Sequence, residues 1–196
     1  MQQIVLATTN PGKAREFQDI LGSVAEVLIP GDLPPVHEDG ETLAENAYKK
    51  ARSAADYLGR VAVADDSGLF VAALGGDPGV HSARFAGLES NDASNRSKLM
   101  SLMVGVPDRS AYFETVLCMC DPLATMAAAA FFHGRCDGWL LDHELGENGF
   151  GYDALFVPAE GDGRTFAEMA PHEKAMLSHR ARAISNLRIY LTGQPI

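Results

Sequence analysis

Residues 3–21 read QIVLATTNPGKAREFQDIL. Gln3–Ala7 is a short apolar run that ends in turn residues, the pattern of a buried strand. Thr8-Thr9-Asn10-Pro11-Gly12 interrupts it. From Lys13 to Leu21 the apolar residues Phe17, Ile20 and Leu21 return at helical spacing. Strand, loop and helix in that order open an α/β chain.

The chain downstream extends the pattern. Ala25–Ile29 reads as a second strand and Pro30–Glu41 as a polar, proline-rich loop. Thr42 and Glu45 have capping-box spacing for a helix to about Leu58, which Gly59 ends. Arg60–Ala64 reads as a strand running into a turn at Asp65-Asp66-Ser67-Gly68. A helix is expected from Ser90 or Asn91 to Met103. Ala111–Cys120 and Thr125–His133 suggest a hairpin closed at Asp121-Pro122. Tyr152–Val157 reads as another strand, and Pro171–Leu191 as a helix with a break near His179. The expectation is a mixed α/β fold: a long central mixed β-sheet flanked by helices, in a single domain over 1–196, with two lobes around a cleft.

Composition narrows the function. The 196 residues carry 16 Lys+Arg against 26 Asp+Glu, a formal net charge of −10. So acidic a chain argues against sequence-independent binding to nucleic acid or to an anionic membrane. It contains no apolar run long enough to span a bilayer. Its first residues, MQQIVLATTN, lack the basic and apolar regions of a secretory leader, which predicts a cytoplasmic protein. Cys118, Cys120 and Cys136 form no CxxC pair, so neither zinc nor a disulfide framework is expected. Cys118 and Cys120 read as same-face positions of one strand. The charge is uneven: residues 171–196 hold four Lys+Arg and one acidic residue.

Five segments could carry chemistry. Thr8-Thr9-Asn10-Pro11-Gly12-Lys13 puts a lysine, with Arg15 after it, at a helix start that is already electropositive, which suits an external anion. The plain alternative is an Asn N-cap with a solvated lysine. Adjacent carboxylates at Asp65-Asp66 repel unless a cation lies between them or one is protonated. Both reach one metal only if the chain turns at Ser67-Gly68, and oxygen ligands suit Mg²⁺. Glu38, Asp39 and Glu41 precede a helix on which Asn46 and Lys50 share a face. Gly146–Asp153 interleaves three glycines with Phe150 and Tyr152, which offers flat faces to a nucleobase or simply core aromatics beside a hairpin. Lys174, His179 and Arg180 make a basic cluster for phosphates or purine oxygens, or a basic amphipathic helix.

Together these segments resemble the non-canonical purine NTP pyrophosphatases, the inosine/xanthosine triphosphatase family. The matching stretches are LATTNPGKAREF, ETLAENAYKKA, ADDSGL, DPGVHSARFAG, GENGFGYDALF and EKAMLSHRARA, which run from residue 6 to about residue 183. The resemblance implies Mg²⁺-dependent hydrolysis of ITP, dITP and XTP to the nucleoside monophosphate and pyrophosphate, by a homodimer that cleanses the nucleotide pool. It implies Thr8, Thr9, Asn10, Pro11, Gly12, Lys13 and Lys50 as triphosphate contacts, with Ser67 touching substrate. Glu38 and Asp66 would be metal ligands with Asp65 adjoining, and Asp66 the catalytic proton acceptor. Phe150, Gly151, Tyr152, Asp153, Lys174, His179 and Arg180 would complete the nucleotide set. His81 and Ala154 depart from the family's usual Tyr and Pro. The septum-inhibitor type of nucleotide pyrophosphatase lacks a match, because its Ser-x-Ser-x-Arg-Arg start is replaced here by Thr8-Thr9-Asn10. A non-catalytic nucleotide sensor on the same scaffold is the other alternative, and the intact Asp65-Asp66 pair argues against it.

Overall fold

The computed structural model describes residues 2–89, 91–123 and 125–193. In chain order the elements are β1 (Gln2–Leu6), α1 (Pro11–Leu21), β2 (Ala25–Leu28), α2 (Leu43–Leu58), β3 (Ala62–Val71), β4 (Pro78–Gly79), α3 (Asp92–Leu102), β5 (Ser110–Cys120), β6 (Ala130–Leu140), β7 (Phe156–Pro158), α4 (Pro171–Leu177) and α5 (His179–Thr192). The sheet order is β2-β1-β3-β5-β6-β7, with β4 against β3. β1 pairs in parallel with β2 and β3, whereas β3/β4 and β6/β7 are antiparallel. The sheet is mixed and flanked by helices, as expected. No helix among the described residues is long and apolar enough to cross a membrane.

The chain forms two compact units. Among the described residues, the first comprises those of 2–66, 115–134 and 180–193, and the second those of 67–114 and 135–179. In the first unit, strand alternation sorts the core. Ile4, Leu6 and Val63 join Phe17 and Leu21 of α1 and Ala183, Ile184 and Leu187 of α5. Val5, Ala62 and Ala64, one residue out of step, join the alanine stripe Ala47, Ala51, Ala54 and Ala55 of α2. Cys118 and Cys120 share that second cluster, as the period-2 spacing predicts, and burial pushes the Cys118 thiol up to about 12. In the second unit Leu69, Val71, Leu99, Met103, Phe113, Tyr152, Phe156 and Phe166 form one core.

Four sequence expectations need correction. β3 does not turn at Ser67-Gly68 but runs straight through to Val71. Gly68 is there because β4 comes close: a Cβ at Gly68 would sit 2.4 Å from the Gly79 carbonyl oxygen. The strand after Cys120 begins at Ala130 rather than Thr125 and continues to Leu140, with the alanine-rich segment before it forming a 3-10 turn at Met126–Ala128. Tyr152–Leu155 is turn rather than strand, and β7 starts at Phe156. Thr42 accepts from the Glu45 amide, but Glu45 returns its carboxylate to the Glu41 amide rather than to that of Thr42. The break near His179 is real: Ser178 is extended (φ −69°, ψ 149°) between α4 and α5. Asn91 caps α3, and Ser90, the other expected start, lies outside the described residues.

Candidate functional site

The loop after β1 is built around Asn10. Its side chain accepts from the amides of Gly12 and Lys13 at 2.8 and 3.1 Å, and its own amide donates to Thr8 Oγ1 at 3.2 Å. Pro11 occupies the first helical position, where a missing N–H costs nothing. Asn10 is therefore the cap that the plain alternative describes. The Lys13 side chain is not solvated. Its Nζ lies 2.8 Å from Asp65 Oδ2, and only 18% of the side chain is exposed. With two helix amides already satisfied, this loop offers an anion the Lys13 ammonium and the exposed Thr9.

The uninterrupted run of β3 sends its two aspartates to opposite faces of the strand. Asp65 meets α1 and α5: besides Lys13, it accepts from Arg180 Nε at 3.1 Å. Arg180 is 2% exposed and also donates to Glu16 Oε2 at 2.8 Å. Burial raises the Asp65 carboxyl, but Lys13 and Arg180 outweigh it and hold the group far below the usual carboxylate range. For Lys13 the balance reverses, because burial outweighs Asp65 and Arg180 repels, so its pKa is lowered.

Asp66 meets α2. Lys50 Nζ lies 2.9 Å from Asp66 Oδ1 and 2.7 Å from Glu38 Oε2. Asn46, fully buried, donates from Nδ2 to Asp66 Oδ2 at 3.2 Å and accepts the Gly40 amide at 2.8 Å. It thereby ties the loop that carries Glu38 to the strand that carries Asp66. Two carboxylates meeting one ammonium stand within about 6 Å, where like charges repel by roughly 3 kcal/mol at an effective dielectric near 20. Burial pushes the Asp66 carboxyl up despite Lys50, and Glu38 adds to the rise. Burial also raises Glu38, but Lys50 and a hydrogen bond with Asp66 win and lower it. Lys50 is raised, because Asp66, Asp65 and Glu38 together overcome its burial. One cation for two carboxylates leaves an acidic, oxygen-only donor set, which suits a hard divalent cation.

The second unit holds the rest of the expected set. Asp153, 3% exposed, accepts the Phe150 amide at 2.9 Å and the Lys174 ammonium at 2.6 Å on one oxygen, Oδ2. Lys174 Nζ stands 4.8 Å from the Phe150 ring centroid, a cation–π contact. Tyr152 is buried, and its hydroxyl donates to the Ser82 carbonyl at 2.9 Å. Its ring is in the core, as the plain alternative for this segment describes. His179 is buried and stacks on Phe113, with centroids 4.5 Å apart and planes within 9°. His81 is exposed, its Nδ1 3.1 Å from Arg84. Ala154 sits half-buried in the turn.

The sequence pattern of the Ham1 family matches residues 4–190. The chain belongs to the Ham1 family. It is 48% identical over 189 residues to a dITP/XTP pyrophosphatase of Syntrophobacter fumaroxidans, covering 94% of this chain and 80% of that one. It is 44% identical over 196 residues to a dITP/XTP pyrophosphatase of Haemophilus influenzae, covering 95% and 97%. Among solved structures, a HAM1 protein from Coxiella burnetii superposes with a TM-score of 0.88 at 38% identity, covering 99% of this chain and all of that one. The Ham1 protein of Staphylococcus aureus gives 0.86 at 37% identity, covering 98% and 99%.

Within this Ham1-family chain, the geometry gathers Lys13, Asp65 and Arg180 in one cluster and Glu38, Lys50 and Asp66 in another, both in the first unit. Sequence reasoning missed Glu16, although it lies one turn beyond Lys13 on α1. It also missed Phe113, whose stacking on His179 joins residues 66 positions apart and leaves no local signal.

Proposed function

We propose that this chain hydrolyses non-canonical purine nucleoside triphosphates, ITP, dITP and XTP, to the nucleoside monophosphate and pyrophosphate in a Mg²⁺-dependent reaction. Membership of the Ham1 family makes it a nucleoside triphosphate pyrophosphatase. The observation that carries the finer reading is the convergence of Glu38 and Asp66 on a single cation, Lys50. Glu38 and Asp66 are the residues that would hold Mg²⁺, and Asp65 is committed to Lys13 and Arg180. When bound, the ion neutralises phosphate charge and orients the reacting phosphorus.

The chain's own groups do the rest. Asp66 accepts a proton from the attacking water. Lys13 and Lys50 supply positive charge to the triphosphate, and in the absence of substrate their carboxylate partners keep them in place. Phe150, Gly151, Asp153 and Lys174 take the nucleoside end. Selection falls at the purine 6 position, where ITP and XTP present an acceptor oxygen and ATP an amino donor. Of the two donors expected there, His179 and Arg180, Arg180 is engaged by Asp65 and Glu16, which leaves His179 to match the oxygen. The protein acts as a homodimer in the cytoplasm, on free nucleotides rather than nucleic acid.

The test is pyrophosphate release from ITP, dITP, XTP and each standard NTP with Mg²⁺ present or chelated. The expected result is a preference for ITP and XTP that disappears with chelation, and a loss of at least about a hundredfold in Asp66→Asn, the lower range for a positioned general base. Equal turnover of all NTPs, or full activity in the variant, overturns the proposal.

A further inference from the structure

Helix α3 carries no residue of the site described above, yet it holds the loop that does. Asp92 and Arg96 are one turn apart on it and project the same way. Asp92 Oδ2 accepts the Gly151 amide at 2.7 Å, and Arg96 Nη1 donates to the Gly151 carbonyl at 2.9 Å. Both polar groups of one loop residue are thus fixed from a single helix face. Arg96 Nε also lies 3.0 Å from Glu144 Oε2, at the start of the same glycine-rich loop. Gly151 is left-handed (φ +62°), a conformation that its neighbours do not enforce by packing, since nothing lies within 4 Å of where its Cβ would be. The residues flanking it are Phe150, over whose ring Lys174 stands, and, two positions on, Asp153, which fixes that lysine. Asp92 is exposed at a helix start already capped by Asn91, so this 59-residue reach is not needed for capping.

We propose that Asp92 and Arg96 are positioning residues for nucleotide selection: they clamp the Gly151 peptide and thereby set the placement of Phe150 and of the Asp153–Lys174 pair. The inference rests on the assignment of residues 150–153 to the nucleoside end of the substrate.

The experiment uses Asp92→Ala, Asp92→Asn, Arg96→Met and Arg96→Lys in the full chain, with steady-state ITP hydrolysis and amide hydrogen exchange across 148–153. Asp92→Ala and Arg96→Met should raise KM for ITP by about tenfold, the scale of one hydrogen bond to a charged group, with kcat within about twofold of the parent. Asp92→Asn keeps an acceptor and should restore most of the KM. Exchange at Gly151 should quicken in Asp92→Ala while α4 and α5 stay protected. An unchanged KM in both truncations, or a fall in kcat at constant KM that merely tracks loss of folded protein, overturns the clamp. A parent protein that fails to turn over ITP and XTP overturns the functional assignment instead. Gly151 exchange then decides the clamp alone, and equal exchange in parent and variant rejects it.

Discussion

Asn46 shows how much one buried side chain can organise. It is fully buried, and its amide serves the Gly40 N–H with its oxygen and Asp66 with its nitrogen. Both partners are buried and would lose a hydrogen bond together. Asn46→Ala is expected to destabilise the fold by roughly 2–3 kcal/mol, the scale of leaving buried polar groups unpaired, as read from the urea midpoint. Asn46→Asp keeps the acceptor for Gly40 but sets a second carboxylate against Asp66. It should be worse than alanine at pH 7, and the gap should close as the pH falls and carboxylates take up protons. An aspartate that outperforms alanine at neutral pH would mean that the Asp66 contact contributes nothing. The sequence placed Asn46 and Lys50 on one helical face, because i and i+4 suffice for that. It could not say that this face meets Asp66 rather than solvent.

At the scale of elements, the short helix α4 depends on one carboxylate. Glu173 accepts from Arg164 at 2.6 and 3.2 Å and returns Oε2 to the Ala170 amide at 2.7 Å, closing the first turn. Those bonds, Arg164 first, pull its pKa from an ordinary 4.5 down to about 2. A folded-state pKa below the unfolded one contributes stability that is present above pH 4.5 and is lost as the pH falls through about 2. Glu173→Gln should therefore melt at a lower temperature than the parent at pH 7, with the difference shrinking between pH 4.5 and 2. A difference that stays constant across that range would exclude the ionised carboxylate as its source. The strand β3 teaches the converse lesson. Its sequence, AVADDSGLFV, carries two charges, a serine and a glycine, and so reads as a strand that stops at Ala64. Ionic partners on both faces and a close backbone at Gly79 keep it extended, and no local rule reports these.

At the scale of the molecule, three strands contribute residues to both compact units: β3, β5 and β6 each contain a unit boundary. The basic tail segment divides at the same kind of boundary. Lys174 and His179 belong to the second unit and Arg180 to the first, where Asp65 and Glu16 take it. The overall charge of −10 thus coexists with lysines and an arginine placed singly against acidic partners, and a net charge says little about a local anion site. The proposed homodimer is checked by light scattering of the purified chain, which should give twice the 21.0 kDa chain mass at micromolar concentration. A mass of one chain at that concentration would reject it.

What the sequence determined by itself was local: a strand, loop and helix at residues 3–21, the cap at Thr42 and the stop at Gly59, a helix start at Ser90 or Asn91, a break near His179, and the residue types of the two charged clusters. Each follows from neighbours within a few positions, where periodicity and capping operate. Tertiary structure alone decided who faces whom. Asp65 and Asp66 are adjacent in the chain yet serve different cation sets, because a strand that does not turn must point consecutive side chains to opposite faces. Lys13 is an ion-pair partner and not a solvated residue, because Asp65 comes from a strand 52 positions away. Gly151, in the turn at 151–155, is held by Asp92 and Arg96, through contacts whose sequence separation leaves no trace in a local pattern.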